Sequence, residues 1–114
     1  MNMGDMAQQI IEKYPKLMKS AQYCDCPPGW ARLLDALAAE LTENYPAARC
    51  NQFKEKFGAL RFYTEGVSSE ALRVIDRYEQ QSTETCQDCG APGTLVRNRR
   101  GWFRTACPDH AKPA

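Results

Sequence analysis

The sequence predicts an α+β fold in one small domain, with about three helices and a β-hairpin followed by a short cysteine-rich module. Three observations lead there. Apolar residues recur every three or four positions from Trp30 to Tyr45, the spacing of a helix face. The period then shortens, with Leu60 and Phe62 alternating with Arg61 and Tyr63 as in a strand. Finally, CQDCG begins at Cys86 and CPDH at Cys107. With 114 residues the chain is long enough for one modest core. A domain of that size buries roughly two-thirds of its unfolded surface. Residues 1–83 read as a helical and hairpin region, with 84–114 packed on it in the same structural domain.

Taken in order, Gly4-Asp5 is placed to cap a first helix whose apolar face is Met6, Ile10 and Tyr14. Pro15 ends or kinks that helix. CDCPPGW follows as a stiff connector whose prolines suit the opening of a helix. The second helix buries Trp30, Leu33, Leu34, Leu37, Ala38, Leu41 and Tyr45, and turns Arg32, Asp35, Glu40 and Glu43 outward until Pro46 stops it. Arg49–Phe53 and Leu60–Thr64 read as the hairpin, with a bulged turn at Phe57-Gly58. After Gly66, Ser68 or Ser69 caps a third helix with Leu72, Ile75, Tyr78 and Ser82 as its stripe.

The cysteine-rich end carries the strongest chemical signal. Two residues separate Cys86 from Cys89, and after seventeen intervening residues Cys107 and His110 repeat the gap. Three thiolates and one imidazole on two tight turns are the donor set of a tetrahedral zinc ion. Gly90 lets the first pair close as a knuckle. Thr94–Arg97 and Trp102–Thr105 pair around Asn98–Gly101, and Pro108 opens a last short helix. That order is a treble clef, with a zinc ribbon as the alternative. All four protein donors are committed, which makes one structural zinc ion the expected cofactor. A catalytic zinc keeps an open position for water. Cys24, Cys26 and Cys50 lack an obvious fourth donor and read as small hydrophobes. A disulfide from Cys50 to one of the other two requires an oxidising compartment.

Composition narrows the function. The formal net charge is +1, so no long-range field draws the whole molecule to nucleic acid or anionic lipid. Charge is nevertheless uneven, because from Glu84 onward four arginines and one lysine face three acids. Met1–Met6 lacks the basic start of a signal peptide, and no apolar run has membrane-span length. A cytoplasmic, reducing setting is expected. Glu55 and Glu65 stand without a nucleophile, and no phosphate loop or Ser/Cys–His pairing occurs, so no enzyme is expected. The candidate binding residues are Arg97, Arg99, Arg100 and Arg104 around Trp102, extended by Lys54, Lys56 and Arg61. Cations interleaved with aromatics suit a phosphate groove with stacking platforms. The bland alternative is that Trp102 packs inward on the third helix and the arginines are a solvated tip.

Four strings together resemble a known family. They are Gly29-Trp30 followed by LLDAL, QFKEKFGALRFY from Gln52 to Tyr63, CQDCGAPG, and GWFRTACPDH. The pattern is similar to that of small uncharacterised proteins of phages, prophages and bacterial chromosomes, and spans Tyr23 to His110. The resemblance implies that Cys86, Cys89, Cys107 and His110 are the metal ligands. It departs at CDCPPGW, where the family tends to carry one Cys before an acidic residue and GW. Small phage-type proteins commonly act by occupying a host macromolecule. The function so implied is a non-catalytic, zinc-stabilised interaction protein of the bacterial cytoplasm. It would bind and block a host protein, including a defence component such as a CRISPR effector. Nucleic-acid binding through the Arg97–Arg104 hairpin is the alternative.

Overall fold

The computed structural model describes residues 3–111. Helix α1 spans Met3–Lys13, so Gly4 and Asp5 lie in its first turn instead of preceding it. It buries Met6, Ala7, Ile10 and then Tyr14. Pro15 ends the regular helix, and the turns that follow bury Leu17 and Met18. A 3₁₀ turn, Pro28–Trp30, leads into α2, Ala31–Asn44. Trp30, Leu34, Leu37 and Leu41 form its fully buried face, as the helical period requires.

Strands β1 (Arg49–Lys56) and β2 (Ala59–Glu65) pair antiparallel and run further than the sequence pattern predicts. Their turn holds just two residues, Phe57 and Gly58, at φ 54° and 84°. Two positive φ values match the twist of a two-residue hairpin. No bulge sits at the turn; the irregularity falls at Asn51, between Cys50 and Gln52. Phe53 and Phe62 stack across the pair at 6.3 Å between ring centroids. Helix α3, Ser69–Ser82, is capped by Ser68, whose hydroxyl accepts the Ala71 N–H at 3.1 Å. Its buried stripe is Ala71, Val74, Ile75 and Ser82, while Leu72 points outward. Ile75 and Ser82 are buried as expected and Tyr78 is half-buried against the core, whereas Ala71 and Val74 take the place expected of Leu72.

Both long edges of this hairpin are covered, which removes the usual hazard of an exposed strand edge. On the β2 side, Ser82 Oγ accepts the Leu60 N–H at 2.9 Å and Glu79 accepts the Phe62 N–H at 2.8 Å. On the β1 side, the Cys50 N–H donates to the Leu17 carbonyl, and the Asn51 and Phe53 carbonyls accept from Gln22 and Asp25. Surface ties connect the helices. Lys13 and the Tyr14 hydroxyl reach Asp35 at 2.9 and 2.7 Å, and Arg77 and Tyr78 reach Glu40 at 3.0 and 2.9 Å. A second, smaller hairpin, β3 (Thr94–Arg97) and β4 (Phe103–Ala106), builds the carboxy-terminal module. Among the described residues no helix is long and apolar enough to cross a membrane.

Candidate metal centre

The two ligand turns meet at the base of β3–β4. At the first, the Cys86 N–H donates to the Ala91 carbonyl at 2.8 Å and the Gly90 N–H to the Cys86 carbonyl at 2.9 Å. Gly90 sits at φ 81°, which closes the knuckle. At the second, the His110 N–H donates to the Cys107 carbonyl at 3.0 Å. Pro108–His110 form one turn and no helix among the described residues. The ligand pairs therefore occupy two facing turns, and the short helix expected from Pro108 falls in part outside the described residues.

The four candidate ligand atoms all lie within 4.8 Å of one another. Cys89 and Cys107 sulfurs are 3.7 Å apart, and Cys86 Sγ is 3.6 Å from His110 Nδ1. Metal–sulfur bonds near 2.3 Å and metal–nitrogen bonds near 2.0 Å at tetrahedral angles give edges of about 3.5–3.8 Å. Cys107 Sγ and His110 Nδ1 are closer, at 3.1 Å, the spacing of a shared hydrogen. Cys86 and Cys107 are buried and Cys89 is exposed. Cys86, Cys89, Cys107 and His110 thus form a cluster able to hold one metal ion.

Protonation follows the geometry. Burial alone would push the Cys86 thiol up, but backbone groups of Cys107, Cys89 and Asp88 directed at its sulfur bring it down to about 6. His110 is raised because Cys107 and Cys86 accept hydrogen bonds from its ring. A cation entering the cluster replaces these shared protons, so binding releases them. Burial pushes the Cys26 and Cys50 thiols far up and leaves them as apolar core groups. With Cys24 they do not gather into a second ligand cluster among the described residues.

Two glycines dock the module on the body. The Gly29 N–H donates to the Gln87 carbonyl at 2.8 Å, and a Cβ at Gly29 would overlap the Cys86 carbonyl. Beside it, Trp30 Nε1 donates to the Thr85 carbonyl at 2.8 Å. Gly58, in the β1–β2 turn, sits against Leu95 and the backbone of Arg104. Its carbonyl accepts the Thr105 hydroxyl at 2.7 Å. Gln87 Oε1 in turn accepts the buried Thr105 N–H at 2.7 Å. Sequence reading did not single out Gln87 or Thr105, and nothing local marks either as a joint.

The proposed binding residues separate into two groups. Arg104 is committed to the module, with its guanidinium 2.8 Å from Asp88 and 3.2 Å from the His110 carbonyl. Arg97, Arg99 and Arg100 are exposed on the second hairpin, and Lys54, Lys56 and Arg61 lie on the first. Trp102 does not pack inward; it is 69% exposed. No protein-family model, curated protein or solved structure matches this chain.

Proposed function

We propose that this is a non-catalytic binding protein, stapled by one structural zinc ion, that acts by occupying a macromolecule with its two hairpin ends. The observation that carries this reading is the closure of the metal cluster. Three sulfurs and one imidazole nitrogen supply all four positions of a tetrahedral ion. A metal so enclosed has no place for a reacting water, and its soft donors favour zinc over hard cations. Its work is then mechanical. Both ligand turns hang on β4 and the Cys86 knuckle, which Gly29 and Gly58 bind to the body. The ion fixes the second hairpin in place beside the first.

Two partner classes came from the sequence, a host protein to be blocked and a nucleic acid. The outward Trp102, next to exposed Arg99 and Arg100, favours the second. Native mass measurement of the chain purified without chelator tests the reading. One zinc per chain is expected, falling to none when Cys107 is replaced by Ser. A metal-free chain, or a metal that stays exchangeable and open to water, contradicts it.

A further inference from the structure

We propose that the adjoining hairpin ends form one surface for single-stranded nucleic acid. Trp102, Phe103 and Phe57 are its base-stacking platforms, and Lys56, Arg97, Arg99 and Arg100 its phosphate partners. The inference rests on the reading of the protein as an occupancy module and names the partner's chemistry.

The aromatic placement comes first. Trp30 and Phe53 are fully buried, yet Trp102 is 69%, Phe57 65% and Phe103 41% exposed. Three large rings in water around one contact of two hairpins form the kind of apolar cluster that marks a binding site. Phe57 also holds φ 54°, a conformation costly for a bulky residue, and its ring points to solvent. Gly58 next to it abuts Leu95, and Leu95 shares a sheet face with Arg97 and Phe103. The first hairpin's turn therefore meets the sheet face that carries Arg97 and Phe103.

Two of the three rings have a cation beside them. Arg97 lies 5.6 Å from the Phe103 centroid and Lys56 5.6 Å from that of Phe57. Behind them, Lys54 lies 5.9 Å from Tyr63. Among the described residues the ion pairs are Lys13–Asp35, Arg77–Glu40 and Arg104–Asp88, and none draws on this surface. Glu55, the nearest carboxylate in sequence, sits at the first hairpin's turn, where it accepts the Gly58 N–H at 2.7 Å and sets one negative charge against the four cations. The overall charge of +1 hides a local excess of unpaired positive charge.

The tip is also ordered before any partner arrives. Asn98 Oδ1 accepts the N–H groups of Arg100 and Trp102 at 2.9 and 3.0 Å, and the Asn98 N–H returns to the Trp102 carbonyl at 2.9 Å. Such preorganisation lowers the entropy cost of binding. A duplex hides its base faces, whereas a single strand offers them to rings and its phosphates to cations. A protein partner would match a more continuous aliphatic surface; here Leu95 is the one exposed aliphatic among these rings.

The test is fluorescence anisotropy of labelled oligo-dT and oligo-U, about twenty nucleotides long, against a duplex of equal length, from about 50 to 200 mM salt. Tryptophan emission is followed in parallel. Trp30 is fully buried, so quenching reports Trp102. Single strands should bind at least roughly tenfold more tightly than duplex. Trp102→Ala should weaken binding by roughly tenfold or more, while Trp102→Phe stays within about threefold of the parent. Replacing Arg99 and Arg100 by Ala should lower the slope of log K against log salt by about 1.4. Absence of binding and quenching at about 50 mM salt overturns the proposal and leaves the surface to a protein partner. Duplex binding as tight as single-strand binding, or an unaffected Trp102→Ala variant, also overturns it. Zinc content measured on each variant separates loss of the staple from loss of the surface.

Discussion

Gly29 is where two backbones come closest. A methyl group there would meet the Cys86 carbonyl and lie 2.6 Å from the Gln87 carbonyl oxygen. Neither can swing away as a side chain would, since Cys86 carries a ligand and Gln87 braces Thr105. Gly29→Ala should therefore cost about 2–3 kcal/mol in urea unfolding, the upper part of the usual overpacking range. It should also weaken metal retention under chelator competition. Stability and retention equal to the parent would mean that the knuckle is not seated on the PPGW turn. Gly58 is the partner case at the other contact, where its positive φ and its closeness to Arg104 leave no room for a side chain. Both residues stand out in the sequence, in GW and in KFG, but their reason does not. A glycine's neighbours across the fold leave no trace beside it in the chain. The four candidate ligands are the opposite case, because chelate spacing is local and so can be read directly.

Helix α3 guards the edge of β2 with polar groups, and that arrangement has a pH signature. Burial raises the Glu79 carboxyl above its ordinary 4.5, partly offset by the hydrogen bond from the Phe62 N–H. A carboxyl raised on folding binds its proton more tightly in the folded state. Its stabilising contribution is full below the unfolded value and is lost as pH rises through the folded one. Glu79→Gln keeps an acceptor for Phe62 without the buried charge. The variant should gain stability relative to the parent as pH rises from about 4 toward neutrality, read by urea unfolding. Parallel profiles would contradict the burial of that carboxylate. Helix α2 was legible because Leu34, Leu37, Ala38 and Leu41 recur at helical spacing along its buried stripe. The α3 face was misread at Leu72, because small Ala71 takes the close contact and the larger Leu72 faces water. The turn at Phe57-Gly58 was legible, but the hairpin was read too short because Lys54, Glu55 and Lys56 offer no apolar alternation to mark a strand. The outward turn of Trp102 depends on the Asn98 cap, which the alternation of β3 and β4 does not reveal.

At the scale of the molecule, two cores of unequal size share one chain. The larger gathers α1, α2, α3 and the first hairpin, whereas among the described residues the smaller has Cys86, Ala106 and Cys107 as its buried members. A cluster so small cannot offset the ordering entropy of its own loop and hairpin. A bound metal ion would supply the difference, as it does in small metal-dependent domains. The α+β class and the site were accessible from period and spacing. How the module couples to the body was not, because it runs through Gly29, Gly58, Gln87 and Thr105 across long sequence separations. Thermal unfolding of the metal-loaded chain against the same chain after chelation is the most direct measurement of that coupling. A drop in Tm of roughly 10 °C or more is expected, corresponding to the loss of a few kcal/mol, and it should be reversed by adding zinc. An unchanged melting curve would contradict the claim that an ion holds the two hairpins together.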